Sequence, residues 1–172
     1  RNGHKRRSSR DDRRRKYSSS DRRPRQKRPR PEAQPPQHSS DEHDEFCTRF
    51  VAATQALTVG KGIDDPDIGP LMNEKAVQKQ EQHVADALEK GATLACGGKR
   101  HALGPLFYEP TVLTDVPADA AILHEETFGP VAPITPFDTE EEVIQRANDS
   151  EYGLVAYVHS HDPRRIYRLS RA

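Results

Sequence analysis

The placement of apolar residues divides this 172-residue chain near position 41. Before that position the only hydrophobic residues are Tyr17 and Ala33. A segment with so little apolar surface cannot gain enough from burial to offset the entropy lost on ordering. We therefore predict a disordered tail over residues 1–43 and a folded domain over residues 44–172. The length of the second part is sufficient for one hydrophobic core of ordinary size.

Charge is divided at the same place, although the formal net charge of the whole chain is zero. Residues 1–40 contain 15 Lys+Arg and 4 Asp+Glu, a net of +11, and the remainder carries a net of −11. Two interpretations of the tail stay open. Its Arg-rich blocks, broken by Ser and Pro, suit a flexible arm that contacts nucleic-acid phosphates. The same composition arises when a GC-rich gene is translated out of register, in which case the segment has no selected function.

The cysteine content and the hydropathy pattern exclude several classes of protein. Cys47 and Cys96 are the only cysteines, and their spacing fits neither a disulfide framework nor a metal site. No run of about 18 apolar residues is present, so no transmembrane helix is predicted. These features predict a reduced, intracellular protein. The sequence begins with Arg1 and not with Met, so we expect its natural N-terminus to lie upstream.

Helical periodicity and capping residues predict four helices. The first begins near Asp44, with one apolar stripe formed by Phe46, Phe50, Ala53 and Leu57. The clearest helix lies between Asn73, as N-cap, and Gly91, as left-handed stop. The residues of that helix expected to face inward are Val77, Val84, Ala87 and Leu88.

Two further helices are predicted from their first residues. Thr139 and Glu142 form a capping box, in which each side chain accepts a hydrogen bond from the backbone of the other. Asp162 and Pro163 are typical of an N-cap followed by a first-turn proline. The last helix has no stop signal before Ala172, so we expect the natural chain to continue.

Short apolar runs between these helices predict strands. They cover residues 93–98, 107–116, 130–137 and 154–160, and Pro110 indicates an edge or irregular position for the second. The run LVAYVHS at 154–160 is nearly continuous, which is typical of a strand buried on both faces. Strands separated by helices predict an α/β fold with parallel strands and flanking helices.

The stretch HEETFGPV, residues 124–131, carries the most unusual combination of side chains. Glu125, Glu126 and Phe128 lie directly before the turn residues Gly129 and Pro130. The carboxylates of such a loop are usually only solvated. The alternative is a ligand clamp, with a carboxylate for hydroxyl groups and a ring for a flat ligand. The residues alone leave both interpretations open.

Four segments in unbroken order resemble the aldehyde dehydrogenases. They are residues 68–101, 107–116, 125–133 and 137–162, and the block EETFGPV is the most specific of them. Within that superfamily the chain is most similar to succinate-semialdehyde dehydrogenases. The resemblance implies a partial aldehyde dehydrogenase catalytic domain of the α/β class, truncated at both ends and preceded by a basic tail without a counterpart in the family.

The resemblance also implies a cofactor site. In the family, the second Glu of this block holds ribose hydroxyls of NAD or NADP, and the Phe two places later packs near the nicotinamide. Glu126 and Phe128 occupy those positions. Glu125 is expected to be a hydrogen-bond acceptor that stabilises the loop. The implied reaction is oxidation of an aldehyde, succinate semialdehyde, to the carboxylic acid. The implied setting is a homo-oligomer of the cytoplasm or the mitochondrial matrix.

No catalytic residue is predicted within the chain. The family nucleophile is a cysteine in a Gly-Gln-x-Cys motif and the base is a Glu in a Glu-Leu-Gly-Gly motif, and the sequence contains neither. Cys47, beside Phe46 on a predicted helix, and Cys96 are interpreted as packing residues. We therefore expect no dehydrogenase activity from this chain by itself. Two hypotheses follow for what the chain represents. It is either an incomplete record of a working enzyme, or a non-catalytic remnant whose basic arm binds nucleic acid or an acidic surface.

No metal site and no phosphate loop are predicted. His38, His43 and Cys47 lie among acidic residues, but their spacing fits no zinc pattern, and the family needs no catalytic metal. GGKRH at 97–101 lacks the spacing and the following helix of a phosphate-binding loop, so it is interpreted as a surface turn.

Overall fold

The structure, a computed structural model, describes residues 40–172, with side chains from residue 42 onward. The predictions made for residues 1–39, including the disordered tail and the candidate ligand His38, fall outside the described residues. Within the described part, helices and strands combine in an α/β arrangement.

A small mixed sheet forms the centre of the described residues. Its strands are β1 (Thr93–Cys96), β2 (Thr111–Thr114) and β3 (Val131–Pro133), in the order β1-β2-β3. The predicted parallel pairing is confirmed for β2 and β3, whereas β1 and β2 are antiparallel. All four residues of β2 are buried, so both faces of this central strand are covered.

Of the two alternatives predicted from Pro110, the edge position was wrong, because β2 is the central strand of the three, whereas the pairing of β2 with β1 is irregular, with a register shift between Leu94 and Cys96. Pro110 directly precedes the strand, so its missing N–H removes no hydrogen bond from either ladder. The first backbone N–H of the strand that takes part in the sheet is that of Thr111. The Thr111 amide donates to the carbonyl oxygen of Pro130, 2.8 Å away.

The second helix lies against this sheet much as the sequence predicts. Helix α2 spans Glu74–Glu89, and the side chain of Asn73 accepts a hydrogen bond from the Ala76 amide at 2.9 Å. Gly91 has a φ of 108°, the left-handed conformation expected of a helix stop. Of the four residues predicted to face inward three are buried, but Leu88 is 39% exposed.

The hydrophobic core lies between α2, the sheet and the short 3-10 helix Ala121–Leu123. Its buried members are Val77, Val84, Ala87, Ala92, Tyr108, Leu113, Val116, Ala120, Ile122 and Val131. The core therefore fixes α2 relative to the chain segment that leads from β2 to β3.

The first helix forms as predicted, but its apolar stripe is not buried. Helix α1 spans Ser40–Gln55 and contacts β1 and β2. Phe46 is 53% exposed and Phe50 is 36% exposed, and their two rings stack on each other at 5.6 Å. A stripe is buried only where another element covers it, and within residues 40–172 none covers this one.

Two short helices lie toward the end of the chain. They are α3 (Glu140–Asn148) and α4 (Pro163–Leu169), and the side chain of Asp162 caps α4 by accepting from the Arg164 amide at 2.8 Å. The predicted capping box of α3 is present, since the Thr139 hydroxyl accepts from the Glu142 amide. The Glu142 carboxylate accepts from the Asp138 amide, and that hydrogen bond first, together with one from the Thr139 backbone, lowers the pKa of Glu142. None of the helices described is long and apolar enough to cross a membrane.

The predicted strand over residues 154–160, called the apolar segment below, was wrong. These residues form no regular structure, with Leu154 97% exposed and Tyr157 81% exposed. A strand needs a neighbouring strand to satisfy its backbone. The described residues supply none for this segment, so its apolar composition is not sufficient to order it.

Candidate functional site

The chain between β2 and β3 is held to helix α2 by side-chain hydrogen bonds. The residues held in this way, 119–129, are called the anchored segment below. Its beginning is fixed by Asp86, whose carboxylate accepts from the Ala121 amide at 2.7 Å, and by Lys90, which donates to the Asp119 carbonyl at 2.7 Å. The hydrogen bond from Lys90 and then that from the Ala121 amide hold the pKa of Asp86 below its usual range.

Glu125 is the first residue of the motif that α2 engages. Its Oε2 lies 3.2 Å from Nε2 of His83 and 3.5 Å from Nζ of Lys79. His83 foremost, and then Lys79, hold the pKa of the Glu125 carboxyl below its usual range. The prediction that Glu125 is an acceptor that stabilises the loop is confirmed.

The next two residues are held mainly through their backbone. Nζ of Lys79 donates to the carbonyl oxygen of Glu126 at 2.6 Å, and Nε2 of Gln80 donates to that of Thr127 at 2.8 Å. The Thr127 hydroxyl lies 3.4 Å from Nδ1 of His83. Because these contacts use the backbone of Glu126, its carboxylate stays available to solvent.

The two predicted site residues lie in this one segment and are both exposed. Glu126 is exposed, and the ring of Phe128 is 81% exposed. Phe128 has a φ of 42°, a left-handed conformation that is uncommon for any residue except glycine. Such strain persists only where the surrounding contacts determine the backbone, and it concentrates at functional sites.

This arrangement suits recognition of a ligand more than bond cleavage. A carboxylate accepts hydrogen bonds from hydroxyl groups, and an exposed ring packs against a flat partner. The side chains of Lys79 and His83 are turned to the loop, where both contact the Glu125 carboxylate. Both members of the predicted clamp, Glu126 and Phe128, are therefore accessible to a ligand, and their role in binding stays a prediction.

Sequence reasoning missed the α2 residues that hold the segment. Gln80 and His83 lie at helical spacing from Val77 and Val84, on the apolar face, and both are buried. A buried polar side chain requires a hydrogen-bond partner. Two such residues among inward-facing valines are thus the signal that could have revealed a polar contact surface on this helix.

The cysteines lie apart from this segment. Cys47 is partly buried, with Sγ 3.5 Å from Nε2 of His43 one helical turn away. Burial raises the pKa of the Cys47 thiol, and the carboxylates of Asp115 and Asp44 raise it further. A raised pKa disfavours the thiolate, which is the nucleophilic form. Cys96 is partly buried, with Sγ 3.9 Å from the Pro110 carbonyl.

Polar groups of the turn at residues 97–101 are bonded to other parts of the domain. The Gly98 amide donates to the Thr111 hydroxyl at 2.8 Å, so it is not available to a phosphate. Arg100 pairs with Glu74 at 2.6 Å and with Glu81 at 2.8 Å, which ties the turn to α2. Among the described residues, no group of three or more His, Cys, Asp or Glu side chains is arranged to hold a metal ion.

Comparison with protein families and curated proteins gives consistent matches. The model of the aldehyde dehydrogenase family matches residues 38–172. The chain is 50% identical over 131 residues to succinate-semialdehyde dehydrogenase [NADP(+)] GabD of Escherichia coli (strain K12), covering 76% of this chain and 27% of that protein. It is 51% identical over 130 residues to the mitochondrial succinate-semialdehyde dehydrogenase of Homo sapiens, covering 74% and 24%.

A solved structure agrees with these matches. The succinate-semialdehyde dehydrogenase of Burkholderia pseudomallei has a TM-score of 0.74 and 50% identity, over 77% of this chain and 28% of that one. The chain therefore spans about a quarter of the length of the curated relatives it matches.

Proposed function

Because the chain belongs to the aldehyde dehydrogenase family, a family of oxidoreductases, we propose that the anchored segment binds the nicotinamide riboside end of NAD or NADP. The enzyme to which this site contributes oxidises an aldehyde, succinate semialdehyde, to the carboxylic acid. One observation supports the proposal above the others. Glu126 and Phe128 are exposed on a segment that α2 holds through the Glu125 side chain and the carbonyl oxygens of Glu126 and Thr127.

The residues present fit the cofactor in chemical type. The Glu126 carboxylate would accept hydrogen bonds from the two vicinal ribose hydroxyls, and charge-assisted bonds of this kind are the stronger class. The exposed ring of Phe128 would pack near the nicotinamide. When bound, the cofactor supplies the two-electron acceptor for the oxidation of aldehyde and water to a carboxylate.

The chain itself provides positioning and not the covalent step. The thiol of Cys47 has a raised pKa and lies on α1, outside the anchored segment. We expect the 172 residues alone to reduce no NAD(P) when an aldehyde is added. Cysteine-dependent formation of reduced nicotinamide by purified chain would contradict this part of the proposal.

The binding site is tested with nicotinamide mononucleotide, the half of the dinucleotide that these residues would contact. We expect millimolar binding by the full chain, detected through the fluorine NMR signal of 4-fluorophenylalanine at Phe128. Phe128→Leu assigns that signal. Glu126→Gln retains the size of the side chain but removes its charge, and should weaken binding by about tenfold.

Glu89→Gln is the matched control, since Glu89 is an exposed carboxylate at the end of α2. It should bind nicotinamide mononucleotide as the unmodified chain does. Absence of binding by the unmodified chain, or an equal loss in Glu89→Gln and Glu126→Gln, would overturn the proposed function.

The charge of residues 1–40 supports a second, separate function. A net of +11 within 40 residues suits contact with nucleic-acid phosphates. Binding of the full chain to duplex DNA should then fall steeply with salt, and deletion of residues 1–39 should abolish it. Binding that survives the deletion would contradict this function. The partners proposed are thus a small aldehyde, further copies of the chain and, through residues 1–40 alone, nucleic acid.

A further inference from the structure

Gln80 is the most deeply buried of the α2 side chains that contact the anchored segment. It is 0% exposed, and its Nε2 lies 2.8 Å from the Thr127 carbonyl oxygen and 3.3 Å from the Ala76 carbonyl oxygen. Both neighbours are acceptors, which fixes the orientation of the amide with its nitrogen toward them. The side chain therefore bridges the backbone of α2 and the backbone of the segment.

The other half of the same amide is unsatisfied. Oε1 of Gln80 is buried and has no hydrogen-bond partner among the described residues. A buried polar atom without a partner destabilises the fold, whereas an apolar side chain of similar size would fill the same space without that penalty. Stability alone therefore favours a glutamine here only through the hydrogen bonds that its Nε2 donates.

Gly129, the residue after Phe128, lies against the same Gln80 amide that contacts Thr127, the residue before it. A Cβ atom at Gly129 would lie 2.3 Å from Cδ, 2.4 Å from Oε1 and 2.6 Å from Nε2 of Gln80. The backbone at Gly129 approaches so closely only because it carries no side chain. Gln80 accordingly contacts the residues on both sides of Phe128, whose own φ is 42°.

We propose that Gln80 is a positioning residue that sets the outward conformation of Phe128, and thereby the geometry of the nicotinamide site. It fixes the Thr127 carbonyl by a hydrogen bond and Gly129 by close packing, and it does not itself contact the cofactor. This inference rests on the proposed function, since it assigns a role at that site.

Gln80→Met separates this role from a structural one. Methionine has a similar volume and helix propensity, but cannot donate to the Thr127 carbonyl. The melting temperature should change little, because the variant removes the unsatisfied Oε1 but also removes the donor to the Thr127 carbonyl. The ligand-free fluorine signal of 4-fluorophenylalanine at Phe128 should shift or broaden, and affinity for nicotinamide mononucleotide should fall by about tenfold.

Gln78→Met is the matched control, because Gln78 lies two residues away on the exposed face of α2. It should leave both the Phe128 signal and the affinity unchanged. A Phe128 signal that is identical in Gln80→Met and the unmodified chain overturns the inference. So does a lower melting temperature with unaltered affinity, which is the result expected of a residue that only supports packing.

Gly129→Ala tests the same contact from the other side and does not depend on Gln80→Met folding. Its new methyl group should displace the Gln80 amide and alter the Phe128 signal, whereas Gly153→Ala, with nothing within 4 Å, should not. An unaltered Phe128 signal in Gly129→Ala would also contradict the role of Gln80. If the unmodified chain binds no nicotinamide mononucleotide, the proposed function fails, while the ligand-free Phe128 signal still decides whether Gln80 sets the conformation of Phe128.

Discussion

The anchored segment and the apolar segment both lie outside the α-helices and the strands, yet only the first is held to another element by side-chain hydrogen bonds. Residues 119–129 receive or donate side-chain hydrogen bonds at four positions of α2 and at Lys90, which directly follows it. Residues 154–160 are far more apolar, but Leu154 and Tyr157 are almost fully exposed. Within the described residues, order follows the availability of a partner surface and not the apolar content of the segment itself.

The largest difference between the two regions should appear when a leucine is truncated in each. Leu113 lies in β2, is fully buried and belongs to the core beneath the anchored segment, whereas Leu154 is 97% exposed. Leu113→Ala should lower the free energy of unfolding by about 2–5 kcal/mol through lost burial and a cavity. Leu154→Ala should change it by less than about 0.5 kcal/mol. Urea denaturation followed by circular dichroism measures both, and similar losses would contradict the comparison.

A smaller difference is expected when an exposed ring is replaced by glycine. Phe128 and Tyr157 are both 81% exposed, but only Phe128 has a left-handed backbone. Phe128→Gly should raise the free energy of unfolding by about 1 kcal/mol, because glycine adopts positive φ without steric penalty. Phe128→Ala, which keeps the Cβ, should not raise it.

Tyr157→Gly is the counterpart in the apolar segment. It removes a similar ring from a backbone without a positive φ, so no gain in stability is expected. Thermal melts of the three variants distinguish the cases. A loss of stability in Phe128→Gly equal to that in Tyr157→Gly would show that the left-handed conformation stores no strain.

The smallest effect concerns pH. Contacts with His83 and Lys79 lower the pKa of Glu125 in the folded chain, so its ionised form is stabilised by folding. That contribution is complete above the unfolded pKa of about 4.3 and is lost as the pH falls through the lower folded pKa. Glu125→Gln should therefore destabilise the chain at about pH 6 and have little effect at about pH 3.

Glu151→Gln is the control for this titration, since Glu151 is an exposed carboxylate near the apolar segment. Its effect on the free energy of unfolding should be small at both pH values. A Glu125→Gln effect that is the same at both pH values would mean that the ionised carboxylate makes no contribution through His83 and Lys79.

The parts of the fold that were predicted correctly depend on local signals. Asn73 caps α2 and Gly91 ends it through contacts within a few residues, so the sequence alone identifies both. The exposed stripe of α1 and the apolar segment were predicted less well. Burial depends on which other elements lie against a segment, and periodicity carries no information about that.

The residues of the candidate site also fall into those that a local sequence motif identifies and those that only the folded structure reveals. Glu126 and Phe128 were predicted through the family resemblance of a short motif, and their proposed role in cofactor binding stays a prediction. The contacts from Lys79 and Gln80 to the motif join residues 47 apart in sequence, and the contact from His83 to Glu125 joins residues 42 apart. No local pattern encodes such distances, although polar residues on the buried face of α2 indicated that partners had to exist.

Hydrogen–deuterium exchange of the full chain tests most directly whether α2 fixes the anchored segment. The Ala121 amide donates to Asp86, and the Leu123 and Glu125 amides donate to carbonyls of the 3-10 turn. We expect amides 121–125 to exchange at least about tenfold more slowly than amides 155–158, because exchange there requires the 3-10 turn and its contact with Asp86 of α2 to open. Equal exchange rates in the two segments would contradict the account.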